Sequence, residues 1–309
     1  MSEMLEGLVI RAQSGFLTVQ TDSGEYISRL RGRLKQEAIE GDIVAVGDRV
    51  TITPNKDGTG TIEGVLDRKS VFSRVRSGIK REFHQIILVN PDQIVAIFAC
   101  ANPEPSLRML DRFLVIAEKQ HIDAIIVANK IDLITGEEAR ELFGLYKPLG
   151  YPVIYTSALT GEGVDRLREH LQDKISAFAG PSGVGKSSLL NAIQPDLGLQ
   201  VRAVSQATSK GKHTTHVREL FPLDVGGYVA DTPGIRTLAL WDTEPEELDA
   251  YFVEMRDLVS DCKFSDCTHT HEPGCAVREA VSKGEISSQR YNSYLRLRFE
   301  DESDSFMEN

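Results

Sequence analysis

Residues 180–187 read Gly-Pro-Ser-Gly-Val-Gly-Lys-Ser, which fills every fixed position of the pattern G-x-x-x-x-G-K-[ST]. The apolar run 175–179 ahead of it has strand length, and Leu189, Leu190 and Ile193 behind it recur at helical spacing. Strand, tight glycine loop and helix in that order constrain the fold more than any other feature, because they define one β–α unit of a parallel sheet. The glycines let backbone N–H groups close around a phosphate with no Cβ in the way. Lys186 adds a point charge, the Ser187 hydroxyl is a candidate Mg²⁺ ligand, and the helix N-terminus adds its partial positive charge. Gly180, Pro181, Ser182, Gly183, Val184, Gly185, Lys186, Ser187 and Ser188 are therefore candidate phosphate-binding residues. A glycine-rich turn with a solvated lysine would not need this strand–loop–helix setting.

The rest of the chain divides by pattern into three parts. Over residues 1–82, short apolar or alternating runs at 7–10, 16–19, 43–46 and 49–52 are separated by the turn signals Ser14-Gly15, Asp22-Ser23-Gly24, Gly47-Asp48 and Asn55–Gly58. This spacing predicts a small β-barrel or sandwich. Over residues 83–241 strands alternate with helices. Apolar runs at 94–99, 124–128, 152–155 and 175–179 read as buried strands. Helical faces fall at Leu110/Phe113/Leu114/Ala117, at Ala139/Leu142/Phe143/Tyr146 behind a Thr135–Glu138 capping box, and at Val164/Leu167/Leu171. Such α/β sheets bind ligands at the carboxyl ends of their strands. Residues 242–309 are polar and acidic and read as helices around a cysteine cluster, with a frayed end from 300 to 309.

Apolar residues make up 41% and charged residues 26% of the 309, which excludes a disordered, collagen-like or disulfide-scaffold chain. No apolar run reaches membrane-spanning length; the best, 85–102, is interrupted by Asn90-Pro91-Asp92. No basic start with an apolar core follows Met1, so the expected compartment is the cytoplasm. The net charge of −11 argues against generic nucleic-acid binding, but it is unevenly placed. Residues 1–85 carry 13 Lys/Arg against 12 Asp/Glu, whereas 244–309 carry 7 against 16.

Three further loops belong with the phosphate loop. Asn129-Lys130-Ile131-Asp132 follows the strand 124–128 directly. A carboxylate placed there can accept hydrogen bonds from the guanine N1–H and exocyclic amine, a pair adenine does not offer. Asn129 can reach the base from its other edge, and the Lys130 stem can cover the ring. Ser157-Ala158 also follows a strand. Asp231-Thr232-Pro233-Gly234, after Val229-Ala230, would place the Asp231 carboxylate near Mg²⁺ and the Gly234 N–H near a γ-phosphate. Singly these are weak signals; together on one α/β domain they point to GTP. An ATP-using enzyme would leave 129–132 without a purpose.

Of four cysteines, Cys262, Cys267 and Cys275 lie within fourteen residues, with His269 between them. Three thiolates and one imidazole make a closed tetrahedral set suited to structural Zn²⁺, with His271 the competing nitrogen ligand. Cys100 ends a buried strand and reads as core.

The loops 129–132, 157–158, 180–188 and 231–234 resemble the motifs of translation-factor and Ras-like GTPases, but in rotated order. The base motifs precede the phosphate loop, and Thr214-Thr215 and Asp231–Gly234 follow it. The chain thus resembles a circularly permuted GTPase, and its tail Cys-x4-Cys-x-His-x2-Glu-Pro-Gly-Cys-Ala-Val is similar to that of the bacterial RsgA (YjeQ) family. That resemblance implies a multidomain α/β protein: an OB-fold barrel, a circularly permuted Ras-like P-loop GTPase domain and a mainly helical zinc-binding domain. It also implies hydrolysis of GTP, one zinc held by Cys262, Cys267, His269 and Cys275, and a role late in small-ribosomal-subunit maturation with rRNA contacts from the flanking domains. A monomer without membrane contact is expected.

Two basic stretches bear on the rRNA expectation: Arg29, Arg31, Arg33 and Lys35, and six basic side chains between Arg68 and Arg81 without an acid. For hydrolysis, Mg²⁺ held by Ser187 and by Thr214 or Thr215 would neutralise the phosphates. Ras-like enzymes position the attacking water with a Gln directly after the D-x-x-G motif, where this chain has Ile235. The family resemblance implies instead a histidine a few residues past the threonine pair, yet 220–222 read Leu-Phe-Pro. His213 and His216, flanking the pair, are the candidate catalytic residues. The polar stretch from Ile193 to Thr214 reads as a switch ordered by GTP or ribosome, and Trp241 as its fluorescent reporter. Slow turnover raised by the small subunit is expected; a GTP-sensing rRNA-binding module with little turnover is the alternative.

Overall fold

The computed structural model describes residues 4–13, 15–32, 34, 43–75, 84–198, 218–231 and 243–299. Its framework is an eleven-stranded sheet that closes on itself at one end and is sandwiched between helices at the other.

The closed end is a barrel of β1 (Leu5–Gln13), β2 (Phe16–Thr21), β3 (Gly24–Leu30), β4 (Arg49–Pro54) and β5 (Gly60–Val65), in the order β1-β2-β3-β5-β4 with β4 returning to β1. Alternation decides what fills it: Val9, Leu17, Val19, Val50, Ile52 and Ile62 point inward and form one core. The strands over 24–30 and 60–65 were not evident from the sequence. The reverse holds for 43–46, which reads as a strand but is a buried turn. Asp48 is fully buried there, accepting the Ala45 N–H at 2.7 Å and two bonds from the Arg68 guanidinium at 2.8 and 2.7 Å. A short ribbon of β6 (Val71–Val75) and β7 (His84–Val89) leads onward.

The open half contains β8 (Gln93–Ala99), β9 (Asp123–Asn129), β10 (Val153–Thr156), β11 (Ile175–Ala179), β12 (Arg218–Pro222) and β13 (Tyr228–Asp231), in the order β10-β9-β8-β11-β13-β12. All neighbours are parallel except β12 against β13. Helices cover both faces: α1 (Leu107–Lys119), α2 (Gly136–Phe143), α3 (Val164–Leu171) and α4 (Lys186–Ile193). The central strands are consequently apolar on both sides. Ile94, Ala96 and Phe98 pack with α1 and α2, while Val95 and Ile97 pack with α3 and α4. The Thr135–Glu138 capping box opens α2 as its sequence predicts.

β12 joins the two halves. It pairs antiparallel with β1, Arg11 opposite Glu219 and Ala12 opposite Arg218, so one sheet runs from barrel to α/β layer. At the break between β7 and β8, the Asn90 side chain donates to the Gly47 carbonyl (3.2 Å) and accepts the Lys69 N–H (2.7 Å), bracing the same junction.

The C-terminal part holds α5 (Leu248–Tyr251), α6 (Val253–Arg256), α7 (Ala276–Lys283) and α8 (Ser288–Phe299). Its core of Leu248, Phe252, Met255, Val277, Ile286 and Tyr294 includes Val115 from α1. Arg290 of α8 is fully buried at this seam. Its guanidinium bonds Asp111 of α1 at 2.6 Å and Glu254 of α6 at 2.7 and 3.0 Å, and lies 4.5 Å from the Phe252 ring centre. Burial raises the Asp111 carboxyl, and Arg290 beside it opposes that rise. Tyr146 also donates to Asp111 at 2.7 Å. An ion pair buried this completely fixes how the helical part sits on α1 rather than adding much net stability. Among the described residues no helix is long and apolar enough to cross a membrane.

Candidate active site and metal centre

Parallel pairing brings the motif loops to one edge. Ala99 lies opposite Asn129 and Asn129 opposite Thr156, while Phe178 lies opposite Asp231. The segments 129–132, 156–158 and 180–188 and the backbone of Asp231 therefore all sit at the carboxyl ends of β8, β9, β10, β11 and β13.

Within the phosphate loop, Gly180 (φ 147°) packs so closely on the Ile97 carbonyl that a Cβ would overlap it. Gly185 (φ 95°) leaves only 2.5 Å between a would-be Cβ and the Asn129 amide nitrogen. Only glycine meets both conditions. Lys186 curls back so that Nζ donates to the Gly180 and Pro181 carbonyls at 2.8 and 2.7 Å, at the mouth of the loop. Ser187 and Ser188 are half-buried in the first turn of α4, and Val184 is buried beneath.

Asn129 organises the edge. It is 1% exposed, and both ends of its amide are engaged. Nδ2 donates to the Val184 carbonyl at 2.8 Å; Oδ1 accepts the Thr156 hydroxyl at 3.0 Å and the Ala158 N–H at 3.3 Å. One side chain thus ties the phosphate loop to both base-side loops. The sequence suggests a reach toward a base edge; in this structure the amide also staples the three loops together. Replacing it, Asn129→Ala, takes bonds from the buried Val184 carbonyl and Thr156 hydroxyl, at about 1–3 kcal/mol each, and from the half-buried Ala158 N–H. Guanine-nucleotide affinity should fall at least about tenfold, read by titration with a fluorescent GDP analogue.

Next to it, Asp132 is exposed, and its Oδ1 accepts the buried Ser157 hydroxyl at 2.5 Å. Ser157 in turn accepts the Thr160 N–H at 3.1 Å, so the carboxylate is aimed before any ligand arrives. Lys130 adopts φ 64° and its ammonium donates to the Asn102 carbonyl on the loop leading to α1; desolvation lowers its pKa. Ile131 begins a short 3₁₀ turn behind it. Cys100 is core, its thiol pushed up to about 12 by burial. Thr214, Thr215, Gly234, both candidate histidines His213 and His216, and Trp241 lie outside the described residues, as does most of the 193–214 stretch; of Asp231 only the backbone is described.

Of the basic stretches, Arg31 is paired with Glu63 and Arg68 is taken up by Asp48. Arg33, Lys35 and residues 76–81 lie outside the described part. Arg29 lies over the Phe16 ring, 4.3 Å from its centre.

Cys262, Cys267, His269 and Cys275 converge, one donor atom from each within 4.8 Å of the others. His269 Nδ1 lies 3.6 Å from Cys262 Sγ and 3.3 Å from Cys275 Sγ, and those two sulfurs are 4.0 Å apart. Edges of this size suit a tetrahedral ion with bonds of about 2.0–2.3 Å. On its other side, His269 Nε2 bonds the Asp249 carboxylate at 3.0 Å, which fixes Nδ1 as the inward-facing nitrogen. His271 is exposed and bonded to Thr270, outside the cluster. Cys275 caps α7, its sulfur accepting the Arg278 N–H at 3.4 Å; burial raises its thiol, and this bond opposes the rise. The loop carrying His269 is held by Glu272. Burial alone would raise its carboxyl, but bonds from Thr268 and from the Thr268 and Thr270 N–H groups hold it far below the usual carboxylate range. The donor set, its spacing and this surrounding support fit structural Zn²⁺. Asp249 has no signal in the sequence, since no local motif marks a carboxylate twenty residues from its histidine, whereas Glu272 stands in the tail pattern without an assigned role.

Comparison with known proteins decides the family. The family model described as RsgA GTPase matches residues 65–241, and that for the RsgA N-terminal domain matches 6–62. The chain belongs to the RsgA GTPase family. It is 47% identical over 303 residues to the small ribosomal subunit biogenesis GTPase RsgA of Gemmatimonas aurantiaca, covering 97% of this chain and 98% of that one. The relative of the same name from Thermotoga maritima is 43% identical over 299 residues, covering 95% and 96%. Among solved structures, YjeQ from Thermotoga maritima superposes with a TM-score of 0.81 at 40% identity, covering 96% of this chain and 98% of that one. YloQ, described as a circularly permuted GTPase, gives 0.74 at 35% identity, covering 96% and 94%. The rotated order of motifs is thus a property of the RsgA fold, and the enzyme is a GTP hydrolase.

Proposed function

We propose that this RsgA-family GTPase acts on the small ribosomal subunit, binding it in the GTP state and leaving it after hydrolysis to GDP and phosphate, late in subunit assembly. Relatives named for small-subunit biogenesis align over almost the whole chain, barrel and helical part included, which supports carrying the partner across. The observation that carries the nucleotide reading is the Asn129 staple, which holds a phosphate loop and two base-side loops at one sheet edge.

In this reading the N–H groups of 180–188 and the Lys186 ammonium take the β- and γ-phosphates, Asp132 reads guanine, and Ser157-Ala158 supports the base. Ser187 and one of Thr214 and Thr215 would hold Mg²⁺, which would supply charge neutralisation to the phosphates. The Asp231 carboxylate would stand near Mg²⁺ and the Gly234 N–H near the γ-phosphate. His213 or His216 positions the attacking water. Lys186 leaves its two loop carbonyls for phosphate oxygens, so the loop keeps its shape when empty and exchanges one set of acceptors for another. Cys262, Cys267, His269 and Cys275 would hold Zn²⁺, which would tie the helical part together; that part stands on α1 through Arg290. Such an enzyme is slow alone and turns over faster on the subunit; it works as a soluble cytoplasmic monomer.

Co-sedimentation tests the partner. The protein loaded with a non-hydrolysable GTP analogue should pellet with purified small subunits, and the GDP form should remain largely in the supernatant. Equal pelleting with both nucleotides, or with neither, would remove the cycle.

A further inference from the structure

The cysteine cluster is built asymmetrically. Cys267 and Cys275 are buried, whereas Cys262 is only half-buried. The Lys263 N–H donates to the Gly274 carbonyl at 3.0 Å, and a Cβ on Gly274 would stand 3.2 Å from the Lys263 Cβ. Backbones this close put the next residues outward, Cys262 and Cys275, opposite each other, with their sulfurs 4.0 Å apart. A disulfide needs about 2.05 Å between sulfurs, a closure within reach of rotation about the two Cα–Cβ bonds. The other half of the cluster is held by bonds that need no metal. His269 Nε2 bonds Asp249 at 3.0 Å, and Glu272 accepts the Thr268 and Thr270 N–H groups at 2.9 Å each. Tyr291 and Tyr294 of α8 donate to the His269 and Thr268 carbonyls at 2.5 and 3.2 Å.

From this we propose that the cluster is a peroxide-operated switch: hydrogen peroxide joins Cys262 to Cys275 and releases the zinc, and a dithiol reverses the change. Bound zinc would keep the sulfurs as thiolates, the form that peroxide oxidises. Cys262, the least buried of the three, attacks one peroxide oxygen and becomes a sulfenic acid, with hydroxide leaving. The Cys275 thiolate then attacks the Cys262 sulfur; the S–S bond forms and the sulfenic oxygen leaves as a second hydroxide. Two electrons pass from the sulfurs to peroxide, and two protons from solvent turn the hydroxides into water. Only Cys267 and His269 remain as ligands, too few for a structural zinc site. The loop from 268 to 272 stays anchored on Asp249 and α8, so His269 keeps its place for the return of the metal. A dithiol reopens the bond by exchange and is itself oxidised to a disulfide. That zinc is what the site releases rests on the reading above; the pairing of Cys262 with Cys275 does not.

The test exposes the zinc-loaded full chain to hydrogen peroxide, with zinc release followed by a chromogenic chelator and free thiols by titration. One zinc should leave per chain while two of the four thiols disappear, and peptide mapping should find Cys262 bonded to Cys275. Dithiothreitol with added zinc should restore both signals. Cys262→His keeps four ligands but removes the first sulfur to react, so its zinc should leave at least about tenfold more slowly. Cys100→Ala, in the α/β core, should release zinc as the unaltered protein does. Zinc retained under peroxide, a bond from Cys267 to either partner, or loss of the response in Cys100→Ala would overturn the switch. Oxidation to a sulfinic acid that dithiothreitol leaves in place would do the same. Should Cys262→His fail to fold, the peptide map of the unaltered protein decides. Protein purified without zinc would sink the zinc reading, while the map of the oxidised chain would still decide the pair.

Discussion

Stripping zinc from the protein with a strong chelator should unfold the part from 243 to 299. Without the metal, the Asp249–His269 bond, the bonds of Glu272 and the Cys275 cap are what is left to hold the cluster. Burial pushes the Cys267 thiol up to about 12 and raises Cys275, so at neutral pH those two sulfurs stay protonated and must lose their protons when metal binds. Structural zinc in sites of this kind contributes on the order of 10 kcal/mol to folding, more than a core this small supplies. The damage will not stay local. The same core includes Val115, and without Arg290 the Asp111 carboxyl is left buried and uncompensated on α1. The expected result is one equivalent of zinc released and helical signal lost from α7 and α8, with a lowered thermal midpoint for the α/β domain. Cys275→Ser should reproduce all of these. Purified protein that contains no zinc yet shows a fully folded C-terminal part would contradict the assignment.

Asp132→Asn should exchange nucleotide specificity. The carboxylate is exposed and pre-aimed by Ser157, and a guanine offers it two N–H donors. Charge-assisted hydrogen bonds of this type are worth about 1.5–3 kcal/mol each, so losing the carboxylate should weaken GTP and GDP by about two orders of magnitude or more. An amide in its place donates where the carboxylate accepted and suits a carbonyl at the 2-position of the base, which is what xanthine carries. The Ser157 hydroxyl can still donate to the remaining oxygen, so the loop should keep its form. Titration with fluorescent guanosine and xanthosine diphosphates reads both changes. Unaltered GDP affinity in the variant would mean that Asp132 does not touch the base.

The layered α/β half was legible because its strands are buried on both faces and so write continuous apolar runs, as in 94–99 and 124–128. Strands with one solvated face were harder. β3 and β5 mix Glu, Arg and Thr with their inward residues, and β12 carries Arg218, Glu219 and a terminal Pro222, so its pairing with β1 left no pattern to read. The stretch 43–46 misled in the opposite direction: its apolar residues are buried, but by a turn anchored on Asp48 and Arg68. In the candidate site, the glycine, lysine and cysteine motifs were visible because backbone geometry and ligand chemistry demand those residues at fixed spacing. What fixes them in place was not visible. Asp111 and Arg290 are 179 positions apart, and Arg290 and Glu254 are 36 apart. Only the fold brings such pairs together, and no local spacing reports them.

The most direct test of the central claim is steady-state GTP hydrolysis with and without purified small ribosomal subunits. The account predicts slow turnover alone, strong stimulation by small subunits but not by large ones, and loss of that stimulation in Lys186→Ala. Tight GTP binding with turnover that small subunits leave unchanged would contradict it.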